Sequence, residues 1–144
     1  MSATNHEYYP DDWIRAILKR TRTIAVLGAS ARPDRPSHGV TRFLIDAGYE
    51  VFPVNPGLAG SELLGRPIVA RLADISVPVD MIDIFRNRRE MPQIAGEILA
   101  LDPLPRTVWM QLGIRDDRSA AKLDAAGIDV VMNRCTAIEH VRLC

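Results

Sequence analysis

The chain has 144 residues, 47% of them apolar and 25% charged, the size and composition of one soluble globular domain with a full core. Its 18 basic and 18 acidic residues cancel to a formal net charge of zero and are scattered, so the basic footprint that a nucleic acid or an anionic membrane surface requires is missing. Two cysteines, Cys135 and Cys144, follow neither a disulfide nor a metal-ligand spacing, which excludes structural zinc and fits a reduced cytoplasmic protein.

The opening stretch MSATNHEYYPDD is polar and acidic, with no signal-peptide core, and no apolar run reaches membrane-spanning length. Residues 1–10 are read as a polar tail on a single domain spanning 1–144. The segment DDWIRAILKRT places Trp13, Ile14, Ile17 and Leu18 at helical spacing, with Asp11 or Asp12 as cap. TIAVLG follows as a continuous apolar strand. HGVTRFLIDAG then puts Val40, Phe43, Leu44 and Ala47 on one helical face, with Ser37 as N-cap and Gly48 as the residue after the C-cap. YEVFPV is a second strand. The stretch NPGLAGSELLGRPIVARLADI lacks periodicity and is read as loop with one helical turn around Ala70 to Ala73. VDMIDIF and TVWMQL are two further strands. Between them REMPQIAGEILAL carries Ile94, Ile98 and Leu101 on a helical stripe, with Pro92 in the first turn. DDRSAAKLDAAG is a helix ending at Gly127, and IDVVM is the fifth strand.

Strands alternating with helices, and apolar on both faces, predict an α/β fold. The expected form is a Rossmann-like, doubly wound parallel sheet of five strands with helices on both faces. Short connections and right-handed crossovers give the simplest strand order 3-2-1-4-5.

Such sheets bind ligands outside the carboxyl ends of their strands, which selects the residues at the five tips. The tips carry Gly28, Ala29 and Ser30, then Asn55 and Pro56, then Arg86, then Gln111, Leu112 and Gly113, and finally Asn133, Arg134 and Cys135. A phosphate suits the first tip. Gly28 permits a close turn, Ser30 offers a hydroxyl, the helix beginning near Ser37 presents its positive end, and Arg32 and Arg35 add charge. The alternative is a tight turn with solvated arginines.

The dinucleotide fingerprint would need Gly-x-Gly-x-x-Gly here and an acid ending the second strand. This chain has GASARP and ends that strand in VNPG, with Glu50 at the opposite end, which disfavours NAD. Asp80 and Asp83 are odd-spaced and face opposite sides of the sheet, so they do not form a carboxylate pair, and Trp109 is assigned to the core, with stacking on a ligand as the alternative. Arg86 ends an apolar strand where a charge must be paired or at the rim. Cys135 is either a buried free thiol or a thiol on the ligand side, made more reactive by its basic neighbour.

Four blocks, VLGASARPDRPSHGVTRFLIDAGYEVFPVNP, VDMIDIFRN, VWMQLGI and VVMNRC, resemble the small stand-alone CoA-binding proteins of bacteria and archaea. These are similar to the N-terminal CoA-binding domain of the succinyl-CoA synthetase alpha subunit. The resemblance covers Ile14 to Leu143 and implies coenzyme A, or an acyl-CoA, lying across the strand tips. It implies that Gly28, Ala29 and Ser30 with Arg32 meet the phosphates, that Asn55 and Pro56 flank the adenosine, and that Arg86 and Gln111 to Gly113 line the pantetheine path. The synthetase's phosphorylated histidine has no counterpart in His6, His38 or His140, and Leu58 stands where a lysine is expected. The resemblance therefore implies a non-catalytic CoA-binding module. The alternatives are an NAD(P)-dependent oxidoreductase, or a ligase-like subunit active only with a partner protein. Trp13 and Ile14 on the first helix either cover the sheet or make a homodimer contact.

Overall fold

The computed structural model describes residues 6–144. Strand β1 (Thr23–Leu27) leads through helix α2 (Pro36–Asp46) into β2 (Glu50–Val54). A small antiparallel hairpin, β3 (Glu62–Leu63) and β4 (Arg66–Pro67), precedes β5 (Met81–Ile84). Helix α3 (Met91–Leu99), β6 (Thr107–Met110), α4 (Asp117–Ala125) and β7 (Asp129–Val131) complete the alternation. The chain opens with α1 (Asp11–Arg20) and closes with α5 (Thr136–Leu143).

The five long strands form one sheet in the order β2-β1-β5-β6-β7, and every neighbouring pair is parallel. This is the Rossmann-like, doubly wound class that the alternating pattern predicts. Within it, the third long strand lies beside the first, in register from Ile24 opposite Met81 to Leu27 opposite Ile84, rather than outside the second. The order counted along the sequence is therefore 2-1-3-4-5. The physical reason lies in the aperiodic stretch between β2 and β5. It folds back along β2, with Asn55 N–H donating to the Val69 carbonyl and Val69 N–H to that of Pro53, and so occupies the edge that the third strand would need.

Alternate strand residues feed two cores. Ile24, Val26, Met81, Trp109 and Val131 face α1, α2 and α5, and pack with Ile14, Ile17, Leu18 and Leu44. Ala25, Ile82, Ile84, Val108, Met110 and Val130 face α3 and α4, and pack with Ile94, Ile98 and Leu123. Burial on both faces explains why the strands read as unbroken apolar runs. Trp109 is fully buried, and its indole N–H donates to the Arg134 carbonyl (2.9 Å), as its core assignment predicts.

Helix ends refine the sequence reading. Gly48 (φ +100°) and Gly127 (φ +87°) close α2 and α4 in paired bonds, Gly48 N–H to Ile45 and Tyr49 N–H to Leu44 in the first case. The starts differ from expectation. Neither Asp11 nor Asp12 caps α1, which begins after Pro10, whose carbonyl accepts from Trp13 and Ile14. Ser37 does not cap α2 either, because Pro36 takes the first helical position and Ser37 falls inside the first turn.

Of the expected polar tail, residues 1–5 lie outside the described residues. Residues 6–10 are tied to the body: His6 bonds to Asp124 (2.8 Å) and to the Tyr9 hydroxyl (2.9 Å), and that hydroxyl accepts the Met132 N–H (2.9 Å).

Candidate functional site

Gly28 follows β1 with φ +93°, a conformation that L side chains rarely adopt. A Cβ there would meet the Arg86 Cδ at 3.0 Å and the Phe85 carbonyl carbon at 3.2 Å, so the tips of β1 and β5 touch because one of them is glycine. The amides of Gly28 and Ala29 both donate to the Val54 carbonyl (3.1 and 3.2 Å). Asn55, just beyond β2, fastens the β1 and β2 tips together: Nδ2 donates to the Ala29 carbonyl (2.7 Å), while Oδ1 accepts from the Gly57 N–H (2.8 Å). Asn55 is therefore a latch between strands, with its amide engaged at both ends.

Above these tips lies a cavity of about 600 Å³, within the usual range for small-molecule sites. It sits at the strand-order switch between β1 and β5, where open α/β sheets hold their ligands. The first tip contributes Gly28, Ala29 and Ser30 to its wall, joined by Arg35 just before α2 and Ser37 in its first turn. Asn55, Arg86 and Glu90 add to the wall, as do Gln111 and Leu112 just beyond β6 and Cys135 just before α5. Nine of the expected site residues line this one space. Arg32, Pro56, Gly113 and Asn133 do not. Arg32 turns outward to Asp34 (3.1 Å), and Asn133, at φ +58°, accepts the Gly113 N–H (2.7 Å), so that pair shapes a turn. Pro56 lines a smaller cavity of about 180 Å³ that shares Gly28, Arg86 and Glu90 with the large one.

Two arginines stand in the wall of the larger cavity. Arg86 is paired with Glu90 (2.6 Å), as a charge at the end of an apolar strand requires, whereas Arg35 has no ion pair among the described residues. Arg35 is therefore the uncompensated cation of the site. Arg134, expected to act on Cys135, sits instead over the Tyr9 ring at 5.1 Å and donates to the Asn133 carbonyl. The cause is the ordered N-terminal segment, which supplies an aromatic face for the guanidinium.

Sequence reasoning passed over Phe85, Asn87, Glu90 and Ile114, which also line the cavity. Glu90 was legible in principle, four residues beyond Arg86. It also set aside Asp83, which is fully buried with Oδ1 accepting from Gln111 Nε2 (2.7 Å) and Oδ2 from the Thr136 hydroxyl (2.9 Å). Burial pushes the Asp83 carboxyl up to about 7, against the lowering effect of those two hydrogen bonds. Asp80 has a different role, accepting the Arg22 and Thr23 amides where β1 begins. Among the described residues no cluster of His, Cys, Asp or Glu is arranged to hold a metal, and no helix is long and apolar enough to cross a membrane.

A parallel sheet with a cavity at its switch point, walled by two arginines among mostly apolar surface, defines a protein of the Rossmann-like class. The chain belongs to the CoA binding domain family, whose sequence model matches residues 22–141. It is 39% identical to the Bacillus subtilis protein YneT over 127 residues, covering 88% of this chain and 91% of that one. A solved structure from Thermus thermophilus, at 46% identity, superposes with a TM-score of 0.89 over 94% of this chain and 100% of the other. The alpha subunit of ADP-forming acetate–CoA ligase I from Pyrococcus furiosus is 32% identical over 84 residues, 56% of this chain. The match spans 18% of that subunit's length.

Proposed function

We propose that this protein binds coenzyme A or an acyl-CoA as a non-catalytic cytoplasmic module. The nucleotide end lies at the β1–α2 tip, and the pantetheine arm runs along the tips of β5 and β6. The observation that carries this reading is the mixed wall of the cavity, in which Arg35, with no ion pair among the described residues, and the Ser30 and Ser37 side chains stand together with the apolar Phe85, Leu112 and Ile114. A wall that offers a cation and hydroxyls as well as apolar side chains suits a ligand that carries both phosphates and a thin uncharged arm.

The fit also constrains how phosphates are held. With the Gly28 and Ala29 amides given to Val54, the contribution of those two residues is shape, and the recognising groups are the Ser30 hydroxyl and Arg35. The NAD alternative is weakened by Asn55, because the residue that would have to read the ribose hydroxyls is a committed neutral amide. The match to the ligase alpha subunit supports a second reading, in which this module serves a partner protein that carries the catalytic groups.

Isothermal titration with coenzyme A, NAD and NADP tests the proposal. Saturable one-site binding of coenzyme A, with neither nicotinamide cofactor competing, is expected. Absence of saturable heat with coenzyme A, or stronger binding of NAD, overturns it.

A further inference from the structure

Beneath the cavity, Asp83 at the end of β5, Gln111 just beyond β6 and Thr136 at the start of α5 form a closed ring of hydrogen bonds. The Thr136 hydroxyl has a single hydrogen, which it donates to Asp83 Oδ2 (2.9 Å), so toward Gln111 it is an acceptor. Gln111 Nε2 lies 2.7 Å from Asp83 Oδ1 and 3.0 Å from Thr136 Oγ1, which commits both of its hydrogens inward. Turning the amide over would set Oε1 against the Asp83 carboxylate and leave the hydroxyl without a donor. With the Asp83 carboxyl ionised, the ring therefore fixes one orientation. Gln111 lines the cavity, and Oε1 takes no partner among the described residues.

We propose that Gln111 is a specificity-determining residue: held by Asp83 and Thr136, it presents the carbonyl Oε1 to the cavity and accepts a hydrogen bond from an amide N–H of the ligand's pantetheine arm. Asp83 and Thr136 act as positioning residues that touch no ligand atom. This inference rests on the coenzyme A reading and adds to it a polarity for the arm's subsite, an acceptor that rewards an N–H donor at that depth. Leu112 and Ile114, on the turn that follows Gln111, add apolar surface to the same wall.

The test compares two probes at pH 8, above the value near 7 to which burial raises the Asp83 carboxyl. Coenzyme A carries the arm; adenosine 3′,5′-bisphosphate carries the nucleotide end alone. Asp83→Asn introduces a donor where the ring needs an acceptor, and Thr136→Val removes the hydroxyl with little change of shape. Each is expected to weaken coenzyme A binding about five- to tenfold, the loss of one hydrogen bond, while leaving the bisphosphate unchanged. Thr136→Ser restores the hydroxyl and with it the affinity. A ring that only supported the fold would weaken both probes together, and that result overturns the inference, as does unchanged coenzyme A binding in Thr136→Val. Failure of the unsubstituted protein to bind coenzyme A overturns the underlying reading and this inference with it; failure confined to the variants' pattern overturns the inference alone.

Discussion

Gly28 and Arg86 share a space that admits only one side chain: the Arg86 Cδ occupies the position within 3.0 Å of where a Cβ on Gly28 would stand. The approach is backed by Phe85, whose backbone cannot swing aside as an arginine chain can.

Gly28→Ala therefore combines an unfavourable positive φ with a backbone clash. It is expected to cost about 2 to 4 kcal/mol of stability, and urea denaturation measures this directly. A loss below about 0.5 kcal/mol would mean that the β1 and β5 tips adjust freely.

Arg35 has no ion pair among the described residues, so its truncation leaves no buried partner stranded. Arg35→Ala is expected to leave the melting temperature almost unchanged while weakening coenzyme A about tenfold, the scale of one charge-assisted contact. Arg32→Ala, which breaks only an exposed pair with Asp34, serves as the control and should have little effect.

The Asp83 carboxyl titrates near 7 in the folded protein and near 4 when unfolded. Between those values the folded state holds a proton that the unfolded state has released. By linkage its contribution to stability is present below about pH 4 and is lost as pH rises through about 7, in total on the order of 4 kcal/mol. The melting temperature of Asp83→Asn should therefore rise relative to that of the unsubstituted protein between pH 5 and pH 8. Parallel curves would show that the folded carboxyl titrates normally.

Cys135 lines the cavity wall, and Cys144 is exposed at the chain end. Incubation with the disulfide form of coenzyme A is expected to give an adduct on Cys135. Its thiolate attacks one sulfur and releases one coenzyme A thiol, a balanced exchange. Intact mass spectrometry should show that adduct lost in Cys135→Ser and retained in Cys144→Ser; the reverse pattern would place the Cys135 thiol out of the ligand's reach.

The alternation of apolar runs with amphipathic segments made the layered fold legible, because strands covered on both faces have no polar side to confuse their period. Strand order was less legible. Nothing in the aperiodic stretch after Pro56 announces that Val69 will pair along Val54 and claim the sheet's edge. Helix α5 escaped for a related reason: TAIEHVRL mixes two exposed apolar residues, Ile138 and Val141, with a buried Glu139, so its periodicity points no single way. At the site, small and charged tip residues were readable from the rule that ligands sit at strand ends. What the sequence did not reveal is which of their polar groups are already engaged. Asn55 and Arg134 have a ligand-binding character by type, but a neighbouring carbonyl and an aromatic ring decide otherwise.

The Tyr9 hydroxyl that accepts the Met132 N–H does more than anchor the first residues of the domain. It takes up one backbone donor just past β7, a strand only three residues long, while the Val54–Val69 pairing covers one end of β2 at the opposite margin. Each contact shortens the run of edge backbone that an incoming strand could pair with, which works against fibre growth and strand exchange.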